Sequence, residues 1–319
     1  MEKKNILVVS YSQSGQLDLI TQSTLSPFID NENVNIVYKN IQPVSPYPFP
    51  WNFMSFMDVF PESVYLDPCD IEEIEDDNID FDLVILAYQV WFLSPSVPIT
   101  AFLKSKYAKK KLFNKPVITL IGCRNMWIMA QEKVKNMLDT IGAKLIDNIV
   151  LVDQGSALAT FITTPRWVLT GKKDSLWNIF PEAGVSQSDI TSCSRFGKAI
   201  IEGLSQNKEK EFKSLCYGLG AVTVNEKLIK SEQIGTKSFH IWGKLIRAIG
   251  KQGDIKRKPI VLLYVLFLVL MIITVVPLNM IIQTINRKIN HDKVELQKKH
   301  FELPSGSSIE RLKEFSENE

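Results

Sequence analysis

The chain has 319 residues, with 37 basic and 35 acidic side chains and a net charge of +2. So even a balance gives no field to gather nucleic acid, and a nucleic-acid partner is excluded. The four cysteines, Cys69, Cys123, Cys193 and Cys216, are scattered and form no CxxC pair. They exclude a zinc site or disulfide framework and read as reduced thiols, so no metal is expected.

In chain order, Met1-Glu2-Lys3-Lys4-Asn5 runs straight into apolar Ile6-Leu7-Val8-Val9 with no hydrophobic stretch suited to export. The globular part is therefore expected in the cytoplasm. Short β-branched runs then alternate with amphipathic stretches, the pattern of parallel strands joined by crossover helices. It predicts strands at 6–10, 34–39, 83–87, 117–122 and 145–152. Helices are predicted at 15–25, 97–104, 130–141 and 190–204, the third stopped by Gly142. The expected fold is α/β, a doubly wound five-stranded parallel sheet filling residues 1–204.

Two interruptions stand apart. The Pro/aromatic insertion 43–61 opens with Pro43-Val44-Ser45-Pro46-Tyr47-Pro48-Phe49-Pro50-Trp51-Asn52-Phe53. It is either a loop folded over the sheet or a wall of an apolar pocket. The acidic run Asp70–Asp77 is expected to be a solvated helix or linker. Charged Asn207-Lys208-Glu209-Lys210-Glu211 is taken as the boundary to a helical connector, 205–255, in which 239–249 reads as an amphipathic helix. An apolar helix at 256–286 and a charged tail at 287–319 follow. Within it, 259–276 is apolar without interruption, long enough to enter a membrane, the alternative being a buried core helix. Lys256-Arg257-Lys258 and Arg287-Lys288 flank it, so charge sets no orientation. Pro277 and Asn279 near its end fit either a single span with a kinked exit or a shallow insertion.

Ligands of open parallel sheets bind outside the strand C-termini, which selects three loops. After the first strand, Ser10-Tyr11-Ser12-Gln13-Ser14-Gly15-Gln16-Leu17 is a hydroxyl-rich turn opening a helix. Its backbone N–H groups, serine hydroxyls and helix dipole suit an anion. Lacking GxGxxG and GxxxxGK[ST], it fits a lone phosphate monoester better than a dinucleotide or triphosphate, the plain alternative being an N-cap. After the third strand come Gln89, Val90, Trp91, Phe92, Leu93 and Ser94, aromatic side chains that either face a ligand or plug the core. The fourth strand ends in Gly122-Cys123-Arg124-Asn125-Met126-Trp127. There Arg124 either stabilises negative charge on a ligand or pairs with a carboxylate.

The first loop resembles the phosphate loop of flavodoxins and flavodoxin-like quinone reductases, with Leu17 where flavodoxins usually carry threonine. The second and third resemble that family's isoalloxazine loops. The resemblance implies FMN as cofactor, held by Ser10, Ser12, Gln13, Ser14, Gly15, Gln16, Leu17, Gln89, Val90, Trp91, Phe92, Leu93, Ser94, Gly122, Cys123, Arg124, Asn125 and Trp127. Over most of its length the chain further resembles the flavodoxin-related dialkylresorcinol condensing enzymes of bacterial dialkylresorcinol and flexirubin-type pigment pathways. The residues that carry this are Tyr47-Pro48-Phe49-Pro50-Trp51, Phe60-Pro61-Glu62-Ser63, Gln89 through Pro98, Arg124-Asn125-Met126-Trp127 and Thr170-Gly171-Lys172-Lys173-Asp174.

That resemblance implies a flavin-dependent aromatase which oxidises a dialkylcyclohexane-1,3-dione to a dialkylresorcinol, with a ketosynthase as possible partner. A greasy substrate agrees with the 43–61 insertion, with loop 155–173 and with the apolar segment. The last, over 259–282, is expected to meet membrane lipid and hold the protein at the cytoplasmic face of the inner membrane. His240, His291 and His300 all follow the flavin domain, so Tyr47, Tyr88 and Asp153 are left as proton acceptors, beside water. Two alternatives remain open: an NAD(P)H-dependent quinone reductase and a noncatalytic electron-transfer module.

Overall fold

The computed structural model describes residues 3–29 and 31–315, with the side chains of 276, 280, 283 and 286–289 excepted. The flanking Arg287 and Lys288 side chains, Met1, Glu2 and the last four residues of the tail thus lie outside the described residues.

The elements follow in order: β1 (Lys4–Ser10), α1 (Gln16–Leu25), β2 (Val34–Asn40), α2 (Phe53–Asp58), α3 (Phe60–Tyr65), β3 (Leu83–Trp91) and β4 (Ser94–Pro95). Next come α4 (Val97–Lys104), α5 (Lys106–Leu112), β5 (Pro116–Cys123), α6 (Ile128–Ile141), β6 (Lys144–Val152) and α7 (Thr160–Thr170). The chain continues through α8 (Gln187–Thr191), α9 (Ser194–Ser205), α10 (Glu226–Ile249), α11 (Lys258–Ile289), α12 (His291–Glu302) and α13 (Leu312–Phe315).

β-Branched and leucine-rich strands buried on both faces make a parallel ladder in the order β2-β1-β3-β5-β6. Counting the parallel strands alone, this is 2-1-3-4-5, the flavodoxin-like order, with its switch point between β1 and β3. Ile6, Leu7, Val9, Leu83, Val84, Leu86, Ile118 and Leu120 are wholly excluded from solvent and form the core. The sheet gains a sixth strand that the sequence pattern does not show. The two-residue β4 folds back antiparallel on β3, pairing Val90 with Pro95 and Trp91 with Ser94. The predicted helix at 190–204 is two helices, α8 and α9. The acidic run is extended rather than helical, and it pairs at its start with the insertion through Val44 N to Asp70 O, 3.0 Å. Its far end is tied down by charge, Lys111 Nζ reaching Asp76 and Asp77 at 2.9 Å.

The boundary drawn after residue 204 does not separate two units. Glu209 is buried and pairs with buried Lys4 at 2.7 Å, so charges that look solvated in sequence clamp the start of β1. Ala221 O accepts from Val150 N of edge strand β6 at 2.9 Å. The charged tail also returns to this body. Ser305, fully buried, donates its hydroxyl to Asp147 Oδ1 at 2.7 Å and its Oγ accepts from Asn148 N at 2.8 Å. Burial raises the Asp147 carboxyl to about 6, against the bonds it accepts from Ser214, Ser305, Leu215 and Cys216.

α10 and α11 form an antiparallel hairpin on the body. It is pinned by an aromatic cluster in which Phe60 of α3 stacks on Tyr264 at 4.3 Å. Arg257, fully buried, pins it further by a fork to Glu62 (3.0 and 3.1 Å) and an ion pair to Asp58 (3.1 Å). Ile255–Asn279 is long and apolar enough to cross a membrane, by length and composition only.

Candidate functional site

Strand β1 delivers the serine-rich turn to the sheet edge, where Gly15 takes the left-handed backbone (φ +80°) that starts α1, with open space where a Cβ would stand. Ser12 Oγ is buried with no partner at hydrogen-bond distance. The nearby Asp18 carboxyl is pushed up by burial, the Ser12 hydroxyl opposing it. This hydroxyl, near the Asp18 carboxyl, stands at a helix N-terminus beside the open space at Gly15, a setting that suits a phosphate oxygen. Other residues of the loop have structural duties. Ser10 donates to Asn40 Oδ1 at 2.6 Å, Gln13 Nε2 to Pro48 O at 2.9 Å, and Gln16 Oε1 accepts from Val185 N at 3.1 Å. Ser10 is thus spent on β2, and Leu17 packs in the core beneath the turn.

The second loop is a two-residue hairpin turn made by Phe92 (φ +48°) and Leu93 (φ +56°). Left-handed backbone at two large residues is costly, and it is held here by β4 pairing and by packing on both sides. Gly235 of α10 lets the helix pass close to Leu93, whose Cδ1 would lie 3.2 Å from an added Cβ. Trp91 is edge-on to Tyr11, Tyr47 and Trp51 at 6.0, 5.1 and 5.7 Å. Gln89 Nε2 is buried without a partner. Ser94 is no ligand-facing group, because it is fully buried and accepts from Lys133 Nζ at 2.7 Å.

In the third loop Arg124 stacks over the Phe161 ring at 4.0 Å instead of closing an ion pair. Burial brings its guanidinium down to about 10, opposed first by the Asp153 charge. Asn125 Nδ2 donates to Thr160 Oγ1 at 3.2 Å while its Oδ1 is buried without a partner. Trp127 is core, not site, at 2 % exposure. Burial pushes the Cys123 thiol well up, and its Sγ lies 3.7 Å from Leu151 O.

These loops open into one cavity of about 620 Å³. Its floor is Ser14, Gln16, Leu17, Gln89–Leu93, Gly122–Arg124 and Asp153. Its walls are Phe49, Phe53 and Phe56 of the insertion, Phe161 and Trp167 of α7, Phe239 of α10, and Leu268 and Ile272 of α11. The segment read from sequence as a loop at 155–173 is largely the helix α7. All three regions singled out in sequence as greasy therefore meet above the strand ends.

Of the three proton acceptors, one lines the cavity. Asp153, raised by burial, accepts from Gly155 N (2.7 Å, Oδ1) and Gly184 N (2.5 Å, Oδ2). Tyr88 is removed from the set, being fully buried and donating to Gln131 Oε1 at 2.6 Å. Tyr47 is also removed, standing behind Trp91 with its hydroxyl against Cys69 and outside the cavity wall. The sequence reading missed Glu232. This wholly buried carboxylate of α10 accepts from Met129 N at 3.0 Å, leaves Oε1 unpartnered, and is raised to about 8 by burial. Its only signal is a lone acid among helix-spaced apolar positions, and that pattern is common on solvated faces. Among the described residues no His, Cys, Asp or Glu cluster could hold a metal.

No family model and no curated relative matches the chain. It is similar to solved flavoproteins. One is a flavoprotein in complex with FMN from Lactobacillus acidophilus NCFM, at 16% identity over 46% of this chain and 93% of that one, TM-score 0.37. Another is a flavodoxin from the domain Archaea, at 12% identity over 63% and 99%, TM-score 0.34. A flavone reductase aligns over 82% of this chain and 97% of that one at 13% identity, TM-score 0.33. The flavodoxin-like fold itself rests on the strand order and switch point.

Proposed function

We propose that the protein is an FMN-dependent oxidoreductase that aromatises a hydrophobic dialkylcyclohexane-1,3-dione to the dialkylresorcinol, associated with membrane lipid through α11. The observation that carries this reading is the convergence of the insertion, α7 and the α10–α11 hairpin on the same cavity as the three strand-end loops. An electron carrier needs an exposed flavin edge and no such apolar vault.

Ser12, Ser14 and the N-terminus of α1 would hold the phosphate, and Gln89–Leu93 with Gly122–Arg124 the ring. The partnerless Ser12 Oγ and Asn125 Oδ1 stand in the flanking loops, outside the cavity lining. The partnerless Gln89 Nε2, on that lining, is a buried polar atom that the flavin's polar edge would satisfy. FMN held there would supply a two-electron acceptor for a hydride of the dione ring. The dione's neighbouring C–H loses its proton to Asp153, and the ring enolises to the resorcinol, two hydrogens poorer than the dione. Arg124, cationic beside the cavity, offsets the negative charge that develops there. Phe161 and Trp167 keep water from the reacting ring, and the alkyl chains lie along α11.

The test is anaerobic addition of a 2,5-dialkylcyclohexane-1,3-dione to the flavin-loaded protein. Bleaching with one resorcinol formed per flavin supports the reading. An unchanged spectrum counts against it, and NAD(P)H oxidation with menaquinone in its place would make the enzyme a quinone reductase.

A further inference from the structure

The geometry points to α11 lying in the plane of a single lipid leaflet, with both of its ends on the same side of the bilayer and the cavity opening toward that leaflet. The inference rests on the membrane reading above and adds its topology.

Three observations carry it. First, the chain after α11 does not leave the body. Phe301 and Phe315 enter the main core, Ser305 is bound to Asp147 and Asn148 of β6, and Gly220 N donates to Ser308 O at 2.7 Å. The chain before α11 is fixed to the same body by Arg257. A span would put residues 290 onward across a hydrocarbon layer about 30 Å thick, away from the strand they bind.

Second, α11 keeps one face on protein from Val261 to Asn279. Val261 and Tyr264 are fully buried, Val265, Leu268, Ile272 and Val275 line the cavity, and Asn279 Nδ2 donates to Ser231 Oγ of α10 at 2.7 Å. That is about 27 Å of helix. A helix so covered on one side cannot be ringed by lipid.

Third, the opposite face is apolar and open. Leu262, Leu263, Leu266, Leu270 and Ile273 are 50–69 % exposed. On α10, Ile241 and Leu245 continue the patch at helical spacing, 71 and 46 % exposed. Exposed Lys230, Lys237 and Lys244 border that stripe, and exposed Lys256 and Lys258 stand at the start of α11. α11 contains no acidic residue, and both carboxylates of α10, Glu226 and Glu232, are withdrawn from solvent. An apolar stripe with a lysine border and no exposed carboxylate within either helix, the exposed Asp254 preceding α11, matches the acyl and anionic headgroup layers of one leaflet. Because the inner face of the same helix lines the cavity, a dialkylated ring can pass from the leaflet to the strand ends without crossing water.

The full-length protein is expressed with either Asp80→Cys, on the α/β body, or Glu310→Cys, after α12. Sealed inverted membrane vesicles are then labelled with a membrane-impermeant maleimide, each modified peptide being read by mass spectrometry. Labelling of both sites without lysis supports the in-plane arrangement. Labelling of Asp80→Cys alone, with Glu310→Cys reacting only after lysis, means a span and overturns it. In a second arm, Leu266→Glu with Leu270→Glu lowers sedimentation with phosphatidylglycerol/phosphatidylcholine vesicles by about tenfold or more, while FMN is retained. Absence of vesicle binding by the unaltered protein overturns the inference and the membrane reading together. If that protein is instead a dimer which the same substitutions make monomeric, the patch is a self-association surface. FMN retention, read separately, shows whether the flavin reading survives.

Discussion

The strand-end loops and the α10–α11 hairpin bound the same cavity, yet they are held in place by different means. The loops issue from β1, β3 and β5, whose central residues are wholly excluded from solvent, so their positions follow from the sheet. The hairpin rests on a small cluster around Phe60, Ile246, Val261 and Tyr264, on a buried ionic knot at Arg257, and, through Ile229 and Glu232 of α10, on the main body. On the proposed function the difference separates two tasks: the sheet side would fix the cofactor, and the hairpin side would receive the substrate. Damage to one should leave the other measurable.

The largest expected effect lies on the tether. Arg257→Met leaves Asp58 and Glu62 facing each other without a cation and is expected to cost about 3 kcal/mol of stability. Proteolysis or hydrogen exchange should place the loss in 226–289, with the sheet still protected. Loss of protection across the sheet as well would show that hairpin and body unfold as one unit.

Next comes the sheet side. Ser12→Ala with Ser14→Ala is expected to weaken FMN binding by about 3 kcal/mol, roughly a hundredfold, without lowering Tm of the flavin-free protein. Unaltered affinity would put the phosphate elsewhere.

The contact between the two regions is probed by pH at Glu232, which α10 presents to the N-terminus of α6. Its folded pKa of about 8 lies above the unfolded 4.5, so the native state keeps a proton that the unfolded chain gives up. Stability from this group is full below pH 4.5 and is lost as pH rises to about 8. Glu232→Gln has no proton to lose, so its Tm relative to the parent should climb across that window. Parallel pH curves would mean the carboxyl is not held protonated.

The smallest effect is expected at Tyr88→Phe. Loss of the bond to Gln131 costs about 1 kcal/mol and leaves turnover unchanged. A tenfold fall in turnover would restore Tyr88 to the chemistry.

The sheet was legible in sequence because its central strands β1, β3 and β5 are largely buried and read as unbroken apolar, β-branched runs, and the loops because they follow those runs. Ser12, Gly15, Gln89, Trp91 and Arg124 were placed at the strand ends in that way. What sequence pattern could not show depends on long-range partners. The charges of Lys4 and Glu209 look solvated until they meet, and Asp147 looks like a surface acid until residues 214–216 and 305 cover it. The Phe92–Leu93 turn contains no glycine or asparagine to announce its left-handed backbone. Tyr88 illustrates the reverse error, since a tyrosine at a strand end looks available while the alternation of the strand turns it inward.

The most direct test of the account is titration of the purified flavin-free full chain with FMN, following flavin fluorescence. The account predicts saturation at one FMN per chain with strong quenching by the Trp91 cluster, and a hundredfold weaker isotherm for the Ser12/Ser14 double variant. A folded protein that stays colourless and leaves added FMN fluorescence unchanged would contradict it.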